Sequence, residues 1–343
     1  MRQQFSKVID RLKPNRSLRR FLGHVAGVTA LVLLGQTPVL AAGYPENVIK
    51  VVVPFPAGGS TDAVARVMAK GLADVFSQSV VVENRPGAAG IMGVASALRS
   101  PADGYTLGVS GVGPTIIGQL IGLQVPYDPV NDLVPVGNLG ALPLVFAVKG
   151  DLPVNSIADL VALAKAKPGA LSYGSSGTGS PGHLVFEYFK KIAGLDIVHI
   201  PYKGDAPLTT DLIGGQLEIG VITSTAALAQ AQNNKLKFLA VTSGIRYPQL
   251  SAVPSLIESG YKDISVDIWN LLVAPKGTPA EVISTLNGAM NKVLALNSTK
   301  ETLGAQGYLP PVLMTVDETR AFLANERAKW KAIVKTTGVS VEK

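Results

Sequence analysis

The sequence predicts an α/β protein built from two units. Three observations carry this. Short β-branched runs alternate with segments whose apolar residues recur at helical spacing. The βαβ alternation starts twice, near residue 48 and again near residue 144. The chain has 343 residues, 47% of them hydrophobic and 16% charged, which suits a large core and two domains rather than a disordered chain.

The first unit opens on Val48-Ile49-Lys50-Val51-Val52-Val53, a continuous β-branched run that reads as a buried parallel strand ended by Pro54. Val64, Val67, Met68, Leu72, Val75 and Phe76 then fall on one helical face. Val80-Val81-Val82 is a second strand, closed by Asn84-Arg85-Pro86-Gly87. A small-residue helix covers 91–99, and 105–109 is a third strand. The second unit begins with a strand at 144–148. A helix follows, started by Ser156 with Asp159 as capping partner and stopped at Pro168-Gly169. Strands follow at 171–174, 197–200, 219–222 and 236–241, with helices at 184–192 and up to Ile213. A strand returns near 267–274. Thr278-Pro279-Ala280-Glu281 starts a helix with Pro at its first position, and 315–318 forms a capping box before the last helix.

Residues 1–41 read as a signal peptide. A basic stretch ends at Arg20, an apolar run is strongest at 25–34, and Val39-Leu40-Ala41 supplies small residues for cleavage after Ala41. The run is shorter than the ~20 residues of a membrane span. Arg19-Arg20-Phe21-Leu22 loosely resembles a twin-arginine signal, so both export routes stay open. The mature protein is expected outside the cytoplasm, in the periplasm.

This segment also explains the charge. The chain carries 31 Lys and Arg against 24 Asp and Glu, a net +7. Seven of the bases and one acid lie in 1–41, leaving 24 bases against 23 acids beyond it. A nucleic-acid groove loses its main support. Cysteine is absent and there are three histidines, which excludes disulfides and zinc–thiolate sites. No metal or cofactor is expected.

Two loops could carry chemistry, and each joins a strand to a helix. The first is Pro54-Phe55-Pro56-Ala57-Gly58-Gly59-Ser60-Thr61-Asp62. The second runs from Gly174 to His183 and includes Gly177, Thr178, Gly179 and Ser180. Glycines admit a close ligand, and the free N–H groups and dipole of the following helix favour an anion. The arrangement suits a carboxylate. Asp62 reads as a brace or cap, His183 as structural, His199 and Trp269 as core. Gly177-Thr178-Gly179-Ser180-Pro181-Gly182 is a literal G-x-G-x-x-G. Asp196, however, precedes the next strand instead of ending it, so the dinucleotide fingerprint is incomplete. A third segment, Tyr202-Lys203-Gly204, also follows a strand. Tyr202 could stack on or hydrogen-bond a ligand, and Lys203 adds either charge to the site or a solvated turn. A serine hydrolase would need Ser176, in a sequence that misses G-x-S-x-G at its last position, with His183 or His199 as base. Nothing supports an enzyme.

These motifs together resemble the Bug-type extracytoplasmic receptors of tripartite tricarboxylate transporters. The resemblance covers the mature chain and rests on Pro54-Phe55-Pro56-Ala57-Gly58-Gly59 with Asp62, on 83–90, and on Ala102-Asp103-Gly104-Tyr105-Thr106-Leu107. It continues through Tyr173-Gly174-Ser175 to His183-Leu184, Pro201-Tyr202-Lys203-Gly204 and Ala240-Val241-Thr242-Ser243. It implies a two-lobed, type II periplasmic-binding-protein fold, each lobe a mainly parallel sheet flanked by helices. Lobe 1 would be 42–146 plus 268–343, and lobe 2 would be 147–267. Residues 55–62 and 177–180 would be two jaws on a carboxylate: a di- or tricarboxylate, an acidic amino acid or an aromatic acid. Tyr202, Lys203, Gly204, Ser110, Thr223 and Ser224 would be further ligand contacts. The implied partners are the small anion and the membrane subunits of the transporter, with the receptor itself a monomer. The family usually has Gly where this chain has Leu271, which could narrow the pocket or shift the hinge. An exported hydrolase of small esters or amides and a ligand-presenting sensory receptor are the alternatives. A serine within hydrogen-bond reach of His183 or His199 would favour the hydrolase.

Overall fold

The β-branched run forms β1 (Ile49–Val53), which lies between β2 (Val80–Asn84) and β3 (Thr106–Gly111), parallel to both. The computed structural model describes residues 43–341, of which those from Pro45 on form one unit. The expected signal peptide at 1–41 lies outside the described residues.

Between β1 and β2 runs α1 (Ser60–Phe76), burying Val64, Met68 and Leu72 along one face. Between β2 and β3 runs α2 (Ile91–Leu98), whose small residues let it sit close under β1. A Cβ on Gly93 would stand 2.6 Å from the Pro54 backbone. After β3 the chain winds through a short π-helical stretch, Gly113–Ile117, that the sequence did not suggest.

The central element is β4 (Leu133–Lys149), 17 residues long, of which the sequence pattern gave only the last part. Its first portion, through Pro143, pairs antiparallel with β9 (Asp267–Pro275). From Leu144 on it pairs instead with β7 (Ile219–Thr223) and β8 (Leu236–Val241), again antiparallel. β5 (Ser172–Ser175) and β6 (Val198–Pro201) extend that side, parallel to β7. Among the described residues the order is β2-β1-β3-β9-β4-β7-β5-β6, with β8 also on β4. Both halves are thus α/β with parallel outer strands, and every antiparallel pair involves β4 or β9.

In the second half the helices are α3 (Ile157–Ala166), α4 (Pro181–Ala193), α5 (Asp205–Ile213) and α6 (Ser224–Ala229). Ser156 caps α3 by accepting from Asp159 N–H, but the Asp159 carboxylate accepts from Asn155 rather than Ser156, one residue earlier than a capping box requires. Phe146, Phe186 and Phe189 pack with ring centroids 5.0–5.6 Å apart to form this core. The C-terminal helices are α7 (Ala280–Ala295), α8 (Asn297–Ala305) and α9 (Val316–Thr337). Pro279 is not the first helical residue. It stands at the cap of α7, because the Thr278 hydroxyl turns back to the Pro275 carbonyl. The capping box of Thr315 and Glu318 forms at the start of α9. α7 and α8 pack on α1, while α9 packs on α4 and β4, so the last helix spans both halves.

One buried group near the crossover carries a stability consequence. Asp267 opens β9 opposite Pro143, and its Oδ1 is buried without a hydrogen-bond partner. Burial raises its carboxyl to about 6; Lys329 pulls the other way and Glu326 adds to the rise. The folded state therefore holds its proton more tightly than the unfolded one, and stability falls as pH rises from about 4 to 6. Asp267→Asn should raise the melting temperature at neutral pH by about 2–4 °C. That gain should vanish toward pH 4, as scanning calorimetry across the range would show.

Candidate functional site

Both glycine-rich loops are held by the same device. In the first, Gly58 has φ +87°, and its N–H donates to Asp62 Oδ2 at 2.9 Å. In the second, Gly179 has φ +74°, and its N–H donates to His183 Nδ1 at 3.1 Å. In each case a side chain in the first helical turn reaches back four residues to fix a left-handed glycine. Asp62 is almost wholly buried and also accepts from Arg66 and Asn84, both at 2.9 Å. Burial alone would raise its carboxyl, but the bonds from Arg66, Gly58 and Asn84 outweigh this and hold it below the usual carboxylate range. Both histidines are pushed down, chiefly by burial, His199 to about 4, and their rings stack at 4.0 Å. His183 is therefore neutral, and its Nδ1 is free to accept.

The brace leaves the first helix entrance open, whereas the second is capped. α1 starts at Gly59 without a side-chain cap, so the N–H groups of Ser60, Thr61 and Asp62 have no partner among the described residues. Residues 56–59 are exposed, Ser60 and Thr61 half-buried. Phe55 lays its ring against Gly90. In the second loop Thr178 is exposed, Ser180 caps α4 through His183 N–H, and Gly179 is pressed against Ile121.

One run of contacts joins the two loops, and a second leads from the first loop to the end of β7. In the first run Phe55 meets Gly90, the adjacent Ala89 meets Gly113, and the turn from Gly113 ends at Ile121, which meets Gly179. In the second, the Tyr308 hydroxyl lies 2.9 Å from the Ser60 carbonyl and 2.8 Å from Asn270 Oδ1. Asn270 Nδ2 donates to the Thr61 hydroxyl at 3.2 Å, and the Ser224 hydroxyl donates to the Gly307 carbonyl at 2.7 Å.

The remaining expected contacts are placed as follows. Ser110 is fully buried, with its Oγ 2.7 Å from Thr115 Oγ1. Tyr202 donates its hydroxyl to Asp211, which with burial pushes the phenol up to about 12. Lys203 is exposed and makes no ion pair among the described residues, and Gly204 has φ +101° with open space beside it. Thr223 is bonded to Asp205, and Ser224 is buried. Trp269 lies in the core and donates to Glu326 at 2.8 Å. Leu271 is also core, with no exposed surface. Asn270 and Tyr308 were not anticipated; neither sits in a glycine-rich loop, and only the fold brings them to the start of α1.

A serine does stand beside a histidine: Ser175 Oγ is 2.8 Å from His199 Nε2. Ser175 Oγ also lies 3.0 Å from the Gly177 carbonyl and accepts from the Gly177 N–H at 3.3 Å, so the hydroxyl is tied into its own loop. Ser175 has no exposed surface, and among the described residues no carboxylate orients His199. No metal-ligating cluster occurs among them either.

Comparison with known proteins agrees with this arrangement. A model of the family described as "Tripartite tricarboxylate transporter family receptor" matches residues 64–339. Protein BugT of Bordetella pertussis is 39% identical over 306 residues, 89% of this chain and 94% of BugT. The solved structure of R. palustris Rpa4515 with adipate superposes with a TM-score of 0.82 at 34% identity, covering 87% of this chain and 99% of that one. MatC from Rhodopseudomonas palustris, with bound malate, gives 0.77 at 25% identity, covering 85% and 100%.

The depressed Asp62 carboxyl stabilises the fold above its unfolded-state value, and this is lost as pH falls through the folded value. Asp62→Ala should therefore lower stability at neutral pH by about 2 kcal/mol. The difference should close in strong acid, and exchange of the Gly58 amide should accelerate. Urea unfolding and amide exchange measure the two effects.

Proposed function

Since the chain belongs to the tripartite tricarboxylate transporter receptor family, whose members are solute-binding receptors and not enzymes, we propose that it captures a small organic carboxylate in the periplasm and delivers it to the membrane subunits of such a transporter. The observation that carries this is the first braced glycine loop, which opens on the unpartnered N–H groups of Ser60, Thr61 and Asp62 at the start of α1, with a second loop braced in the same way at the start of α4. Such groups are worth roughly 1.5–3 kcal/mol each toward an anion, so a few supply much of the roughly 8 kcal/mol of micromolar capture. The adipate and malate in the two R. palustris relatives support a carboxylate as the class.

The lobes are assigned as 42–146 with 268–343, and 147–267. The change of partners along β4 at Pro143 and Leu144, the return at Asp267, and the packing of α7 and α8 on α1 support this division, while α9 also packs on α4 of the second lobe. Export through a signal peptide at 1–41 places the mature protein outside the cytoplasm. Among the described residues no helix is long and apolar enough to cross a membrane.

Gly59 tests the site directly. Its φ is −81°, which any residue adopts, and a Cβ there meets nothing closer than the Pro56 carbonyl at 3.8 Å. Gly59→Phe should change the stability of the free protein by no more than about 0.5 kcal/mol. Adipate and malate should raise the melting temperature of the parent in a thermal-shift assay, and their affinity in the variant should drop about 100-fold. If no carboxylate shifts the parent, the reading is wrong.

A further inference from the structure

Asn270 is a polar residue in an apolar place. It lies on β9 between Trp269 and Leu271 and is almost wholly buried. Its neighbours across the sheet are both glycines, Gly111 on β3 and Gly140 on β4. They make the room it uses. A Cβ on Gly140 would stand 2.8 Å from the ring of Tyr308, and one on Gly111 would stand 3.6 Å from Asn270 Nδ2. A buried amide costs free energy unless its groups are bonded. The bonds of this one lead to Thr61, in the first turn of α1, and to Tyr308.

Tyr308 is the anchor. It is fully buried, and its ring fills the gap at Gly140. Its chain neighbours are tied as well: Leu309 donates its N–H to the Ala141 carbonyl at 2.8 Å, and Gly307 accepts from the Ser224 hydroxyl. Burial pushes its phenol far above the usual range, although the contact with Ser60 opposes this, so the hydroxyl keeps its proton. That one proton serves Asn270 Oδ1 at 2.8 Å and the Ser60 carbonyl at 2.9 Å. With Oδ1 turned to Tyr308, the amide presents Nδ2 to Thr61, whose hydroxyl accepts at 3.2 Å. A hydroxyl has a single proton to give. Because Thr61 accepts from Asn270, its own proton turns away from β9, and nothing among the described residues accepts it. Thr61 is half-buried, and its N–H is one of the three left free at the same helix start.

We propose that Asn270 is a positioning residue for anion capture: held by Tyr308, it donates to the Thr61 hydroxyl and so sets that hydroxyl as a donor beside the free N–H groups of the first loop. This rests on the carboxylate-capture reading above and deepens it. A free hydroxyl rotates and offers an anion a lone pair as readily as a proton. One whose lone pair is already occupied presents the proton, and the cost of ordering it is met in the folded protein before any ligand arrives.

A double-mutant cycle on affinity separates this role from a purely structural one. Thr61→Val removes the hydroxyl and keeps the shape. Asn270→Leu removes the amide, and Tyr308→Phe removes the anchoring hydroxyl while keeping the ring against Gly140. The titrant is the tightest binder of the parent among adipate, malate, succinate and citrate, measured by isothermal titration. Thr61→Val should weaken binding about 10-fold, Asn270→Leu about 5-fold and Tyr308→Phe about 3-fold. In the Thr61→Val background neither Asn270→Leu nor Tyr308→Phe should weaken it further. Losses by the same factor in both backgrounds would make the two residues merely structural. Unchanged or tighter binding by Asn270→Leu would mean that Thr61 gives its proton to Asn270 instead. Either result overturns the inference and leaves carboxylate capture standing. If Asn270→Leu does not fold, the Tyr308→Phe arm decides by the same comparison. Failure of all four acids to bind the parent overturns both readings.

Discussion

One strand serves both halves of the molecule, and the site depends on it. β4 pairs with β9 through Pro143 and with β7 and β8 from Leu144, so its backbone direction sets where both sheets present their carboxyl ends. A single buried side chain secures the change of partner. The Thr242 hydroxyl accepts from Leu144 N–H at 2.9 Å and donates to the Val266 carbonyl at 2.6 Å, just before β9 begins. The Thr242 backbone answers with bonds to the same two residues. A threonine fully inside the core is tolerable because each of its polar groups is satisfied. Were that junction loose, the two loops would lose their fixed relation, since the strand of the first, β1, is linked to β4 through β3 and β9, and the strand of the second, β5, through β7.

On that frame the sequence solves one local problem twice with different chemistry. A strand-to-helix loop that is to show its N–H groups to an anion must not fold them onto itself. A glycine at positive φ turns the chain sharply enough, but its own N–H then points inward and needs an acceptor. Asp62 provides one as a carboxylate, His183 as a neutral imidazole. The difference follows from the surroundings. Asp62 has Arg66 and Asn84 to share its charge. His183 is stacked on His199 with Phe186 and Tyr173 close behind, where an ion would be poorly solvated.

The strands and most helices were legible because β-branched runs and helical periodicity are local signals. The two loops were legible because glycine clusters between such elements have few other uses. What escaped notice is non-local or locally ambiguous. The first portion of β4 contains Pro135, Gly137, Gly140 and Pro143, which read as turns. They are tolerated because the strand shifts register there and the glycines admit Met290 and Tyr308. Tyr308 and Asn270 reach the first loop only through folding.

The distribution of charge argues for exchange rather than permanent retention. Beyond residue 41 bases and acids nearly balance, so no broad positive field draws anions to the surface. Arg66, one turn into α1, is tied to Asp62 at 2.9 Å. What remains for an anion is a set of backbone donors, individually modest and readily returned to water. A guanidinium aimed at the same point would deepen the well and slow release. A receptor that must give up its ligand is better served by several weak donors in a fixed array, whose sum is lost together when the array is distorted. On the proposed function, that is an arrangement in which braces matter more than charges, and Asp62 and His183 would bear on affinity without touching the ligand.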